Sequence, residues 1–102
     1  MRNLGILLAC FALVSSIQAA NTRAGSLYGA TVYFFDDDRP YFGLYQSMGD
    51  HTPGSIYIAS GMSDQWTIQT LAHELCHLRQ DTQGRALNEK ECCLKARQGA
   101  CR

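Results

Sequence analysis

The sequence predicts a small α+β domain, and two observations carry that expectation. Short runs rich in β-branched and aromatic residues, separated by Gly, Pro and Asp clusters, fill the chain up to Ser60. Two stretches with helix caps follow, so strands come first and helices after, which places the helices on one side of a small sheet.

The elements follow in order. Residues 1–20, MRNLGILLACFALVSSIQAA, carry one Arg near the start, an apolar run from Leu4 to Val14 and small residues at Ala19 and Ala20. That is the pattern of a secretory signal peptide. It leaves residues 21–102, about 82 residues, as a single domain. The apolar run is too short to span a bilayer and nothing later resembles a membrane helix, so no stable membrane insertion is expected. The expected location is secreted or periplasmic. A formal net charge of zero gives no case for nucleic acid or an anionic membrane surface as the main partner.

Residues 21–29 are small and polar with two glycines and read as a flexible start. Thr31 to Phe35 (TVYFF) reads as a strand, and Asp36-Asp37-Asp38-Arg39-Pro40 as a solvated turn without the ligand spacing of a calcium loop. Tyr41 to Met48 reads as a second strand with Phe42, Leu44 and Met48 on one face. After a Gly/Pro turn, Ser55 to Ser60 (SIYIAS) is a third, with Ile56 and Ile58 inward and Tyr57 on the other face. Ser63 or Asp64 caps a helix running to about Gln80, with Trp66 expected in the core. Asn88 caps a second, glutamate-bearing helix from Glu89 to about Arg97, ended by Gly99.

The first helix carries His73-Glu74-Leu75-Cys76-His77. Two histidines four apart project from one helix face and can close on a single zinc ion. Glu74 leans beside them, placed to take a proton from an attacking water and pass it to a leaving amine. On a wheel of about 100° per residue, His77 lies about 40° and Glu74 about 100° from His73. Ile68, Leu71, Leu75 and Leu78 fall on the opposite side, so the apolar stripe is expected on the sheet and the ligand face toward a cleft. His51 reads as a surface residue, and Tyr45 and Tyr57 as sheet packing ahead of a role as oxyanion donors.

The segment Thr70 to Leu78 resembles the active-site helix of the zincin metallopeptidases, and SIYIAS is similar to the edge strand along which that family binds extended substrates. Gln80 and Gln83 stand where the metzincin branch has Gly and His, which excludes that branch. Glu89-Lys90-Glu91-Cys92-Cys93-Leu94-Lys95-Ala96 is similar to the glutamate helix of the gluzincins, with cysteines replacing Ala and Asp. The resemblance implies a small zincin-like domain, Zn2+ as cofactor, a peptide or protein substrate, His73, His77 and Glu89 as metal ligands, and Glu74 as general base. Cys93 in the Asp position removes a carboxylate that would orient a metal-binding histidine.

Glu89 rather than Glu91 is expected to be the third ligand. Glu89 shares a helix face with Cys92, Cys93 and Ala96, a face of small residues able to pack closely. Glu91 has other employment, in a capping box with Asn88 and an ion pair with Lys95. Past the leader the cysteines are Cys76, Cys92, Cys93 and Cys101, an even number in an oxidising compartment. Cys76 flanks the ligand face, so a bridge from it to Cys92 or Cys93 would staple the helices, with Cys101 taking the remaining thiol. The function expected is a secreted zinc peptidase. Its rival is a non-enzymatic secreted binding module held by structural zinc and disulfides.

Overall fold

The computed structural model describes residues 21–96. The expected signal peptide, Arg97, Gly99 and Cys101 lie outside that span. Four strands form, one more than expected: β1 (Asn21–Leu27), β2 (Ala30–Phe35), β3 (Gly43–Gln46) and β4 (Ser55–Ala59). Two helices follow, α1 (Asp64–Thr82) and α2 (Glu89–Lys95).

The additional strand is β1, drawn from the segment expected to be a flexible start. Its composition carries no strand signal and most of it is exposed. It forms because Tyr28 and Gly29, both at positive φ (50° and 85°), make a tight hairpin that lays it antiparallel on β2. The sheet order is β1-β2-β4-β3, with β2 and β4 parallel and both outer pairs antiparallel. The strand made from SIYIAS is therefore central, and the edge strands are β1 and, beside β4, β3. Ile56 and Ile58 of β4 are almost wholly buried and join Ala30, Val32, Tyr45 and Leu78 in the core, with Leu71 and Leu75 packed against it. Tyr57 is on the other face, its ring stacked on that of Tyr33 at 5.2 Å between centroids.

In β3 the buried face is not the one that carries the apolar Leu44. Phe42 and Met48 are exposed, and Tyr45 is buried instead. Its hydroxyl donates to the Asp81 carboxylate (2.5 Å) and accepts from the Gly54 N–H (2.9 Å), so a large ring is buried with its polar end satisfied. Burial, and then the bond to Asp81, push the Tyr45 phenol up to about 12. Gly54 admits no side chain, since a Cβ there would lie 1.9 Å from the Gln46 carbonyl oxygen.

Helix α1 begins at Ser63, whose hydroxyl accepts the Trp66 N–H. Trp66, expected in the core, is 54% exposed, and Ile68 lies open as well. The helix buries a polar stripe in their place: Thr70, Glu74, His77, Gln80 and Asp81 are all buried. The ligand face is thus covered in part by β3, which comes in close at Gly43. A Cβ on Gly43 would lie 2.5 Å from Thr70 Cγ2 and 3.0 Å from Glu74 Oε2, so only glycine fits. Helix α2, capped by Asn88 through the Glu91 N–H (2.9 Å), buries Cys92 and Ala96.

Of the two bridges left open for Cys76, the one formed goes to Cys92. Cys93 is disulfide-bonded too, and the expected role of Cys101 falls outside the described residues. Among the described residues no helix is long and apolar enough to cross a membrane, and the disulfide is compatible with an extracellular location. The bridge closes a sequence separation of 16 residues and holds a seven-residue helix that buries little else. Replacing both Cys76 and Cys92 by Ser should lower the unfolding free energy by about 2–4 kcal/mol in urea titration. An unchanged midpoint and slope would show that α2 is held without it.

Candidate functional site

The four-residue spacing on α1 brings the rings of His73 and His77 edge to face, 4.9 Å between centroids. The donor atoms of His73, Glu74 and His77 all lie within 4.8 Å of one another. From α2, Glu89 reaches across: Oε2 is 2.8 Å from His73 Nε2 and Oε1 is 2.8 Å from His77 Nε2. All four line a cleft of about 370 Å³ whose other walls include Phe42, Gly43, Leu44, Trp66 and Leu87.

Glu89 does not share the buried surroundings expected for it. Cys92 is bridged to Cys76 of α1 and Ala96 at the C-cap is buried, but Glu89 is the first residue of α2 and leaves its side chain 80% exposed at the cleft mouth. Burial pushes its carboxyl up, but the hydrogen bond from His73 and the charges of both imidazoles outweigh it and hold the group below its usual range.

Glu91 is turned away from the histidines. Its N–H bonds Asn88 as a cap requires, but its carboxylate accepts from Gln80 Nε2 and Arg85 Nη2, each at 2.7 Å, in place of the expected return to Asn88 and pairing with Lys95. Arg85 first, and then Gln80, hold the Glu91 carboxyl below its usual range.

Gln80 is the residue that sequence reasoning missed. It is fully buried, and its amide is oriented by obligate partners: Oε1 accepts the Asn88 backbone N–H (2.9 Å), while Nε2 donates to Glu91 and to the Asn88 carbonyl. The same Oε1 is 3.0 Å from His77 Nδ1. An oxygen already fixed as acceptor requires Nδ1 to carry a proton, so in the neutral ring the Nε2 lone pair points into the site. The signal available was helical spacing, three residues beyond His77 on the same face.

His77 Nε2 also tests whether the group fits a cation. Although 2.8 Å from Glu89, this buried nitrogen is off the line a hydrogen bond would need and has no hydrogen-bond partner. A buried lone pair without a donor, a second imidazole and an anionic carboxylate converging on it are a donor set suited to a divalent metal. Glu74 adds a second carboxyl at the inner wall. Burial raises its pKa above the ordinary value; His73 and His77 pull it down, Glu89 pushes it up, and the Tyr45 backbone N–H donates to it.

The remaining candidates are elsewhere. His51 is exposed with Nδ1 3.1 Å from the Asp81 carbonyl, Tyr45 is in the core, and Tyr57 is on the far face of the sheet. Neither tyrosine lends its hydroxyl to the histidine cluster. Comparison with known protein families, curated proteins and solved structures returns no match.

The tautomer of His77 is directly measurable, because the chain has only three histidines to assign. Two-bond proton–nitrogen correlation spectra of metal-free, histidine-labelled protein should give the Nδ1–H form for neutral His77. Gln80→Ala should relax that preference and destabilise the fold by about 2 kcal/mol through the unpaired Asn88 N–H. An Nε2–H pattern in the parent protein would contradict the assignment.

Proposed function

We propose that the chain is a secreted zinc peptidase, a minimal zincin closest in plan to the gluzincins. His73 and His77 through their Nε2 atoms, with the Glu89 carboxylate, would hold Zn2+, and Glu74 acts as general base. The observation that carries the reading is the convergence of these three donor groups, one of them a buried lone pair without a hydrogen bond, beside a buried carboxyl in an open cleft. Zinc bound there would polarise the scissile carbonyl and acidify the attacking water.

The protein groups divide the remaining work. Glu74, carried by a rigid helix and held by the Tyr45 N–H, takes a proton from the attacking water and returns it to the leaving amine. Burial raises the basicity of its carboxylate, which favours that transfer near neutral pH. Gln80 keeps His77 in the tautomer whose lone pair faces the cleft. Edge strand β3, and not the central SIYIAS strand, lies along the cleft, so an extended substrate can lie beside it.

A structural zinc site would need no base in the Glu74 position. Zinc content and peptide hydrolysis of three variants separate the possibilities. Glu74→Gln should retain one zinc per chain and lose at least about a hundredfold in rate. Glu89→Ala should lose tight zinc binding, and Glu91→Ala should keep zinc and melt several degrees lower. Full activity in Glu74→Gln, or zinc loss confined to Glu91→Ala, would overturn the assignment.

A further inference from the structure

The walls of the cleft around the polar cluster are apolar and exposed. Phe42 is 67% exposed, Trp66 54%, Leu87 48% and Leu44 37%, and all four line the cavity that holds His73, Glu74, His77 and Glu89. They come from three separate elements: Phe42 and Leu44 from β3 and the residue before it, Trp66 from the first turn of α1, and Leu87 from the loop entering α2. A tryptophan left in water at the rim of a cleft forgoes the burial that its size would otherwise give. Scattered apolar residues need no explanation, but four around one cavity form a contiguous surface of the kind that marks a binding site.

From this we infer that the cleft selects extended peptide segments carrying a bulky apolar side chain, aromatic or leucine-like, within about three residues of the scissile bond. The inference rests on the peptidase reading above and names its substrate class.

Spacing along the helix sets the distance. Trp66 precedes Glu74 by eight residues, about 12 Å along the axis at 1.5 Å per residue. An extended chain advances about 3.3 Å per residue, so Trp66 reaches a side chain three or so residues from the reacting carbonyl. Phe42 is adjacent to Gly43, the point at which β3 touches Thr70 and Glu74, and therefore meets a side chain nearer the bond. Leu87 is two residues before Glu89 and walls the other side. The occupant is an extended peptide and not a folded surface, because the strand that borders the cleft is a sheet edge and Glu74 and His77 are buried at the inner wall.

The chain has one tryptophan, so its emission reports on this wall alone. The test uses matched peptides that place Phe, Leu, Ser or Gly at successive positions around a common backbone. Binding to zinc-loaded Glu74→Gln is followed by Trp66 emission, and cleavage by the parent protein is followed separately. The Phe and Leu peptides should bind about tenfold or more tighter than the Gly peptide and shift the emission to the blue. Phe42→Ser should shrink that ratio to less than threefold, with circular dichroism and zinc content as in the parent. In Trp66→Ala, cleavage ratios should shrink likewise.

Cleavage without preference between Phe and Gly peptides would overturn the inference and leave the peptidase reading intact. Apolar peptides that bind and shift the emission, with no cleavage of any peptide by the parent, would keep the apolar subsite and remove the peptidase reading. Equal affinity with unshifted emission for all four peptides would overturn the subsite outright.

Discussion

The buried amide of Gln80 is the interaction on which the site depends. It takes the Asn88 N–H and the His77 Nδ1–H on one oxygen, and gives its own hydrogens to the Asn88 carbonyl and Glu91. One side chain thereby sets the tautomer of a histidine on α1 and the starting point of α2. A typical hydrogen bond contributes about 1 kcal/mol net, but each buried partner left unpaired costs about 1–3 kcal/mol, so the set is much more costly to break than to make. The Cys76–Cys92 bridge acts on the same pair of helices from one turn away. Without this double attachment a helix of seven residues has no independent stability, and Glu89 would have no fixed position.

The second constraint is the approach of β3 to α1. Gly43 permits a separation that any side chain would prevent, and the Tyr45–Asp81 bond ties the same strand to the far end of the helix. Between those two points the Tyr45 N–H meets Glu74. The strand therefore does two things at once: it removes Glu74 from water, which raises its basicity, and it supplies one hydrogen bond that keeps the carboxylate oriented. The cleft is open on its other side, where the apolar rim and Glu89 face solvent.

How far these features could be read in the sequence varies with their physical origin. His73, Glu74 and His77 were legible because a four-residue spacing on a helix fixes a common face whatever the tertiary context. Ile56 and Ile58 were legible because an alternating β-branched run has only one apolar face to bury. The β3 register was not, because Tyr45 buries more surface than Leu44 once Asp81 satisfies its hydroxyl, and Asp81 is 36 residues away. Strand β1 was hidden for a related reason: its pairing comes from the hairpin geometry at Tyr28 and Gly29, while its own residues carry no strand signal. Trp66 was misplaced by the general rule that tryptophan is core, and its exposure is informative because it departs from that rule. Gln80 showed nothing by composition. Its importance comes from a backbone N–H eight residues on that has no other partner among the described residues.

In the proposed site two imidazoles and a carboxylate, and not the cysteines, would hold the metal. Zinc X-ray absorption on the oxidised protein, loaded with one equivalent, tests it most directly. Two imidazole nitrogens at about 2.0 Å with only oxygen in the remaining positions is the expected first shell. A sulfur shell at about 2.3 Å, or no retained zinc after gel filtration, would contradict it.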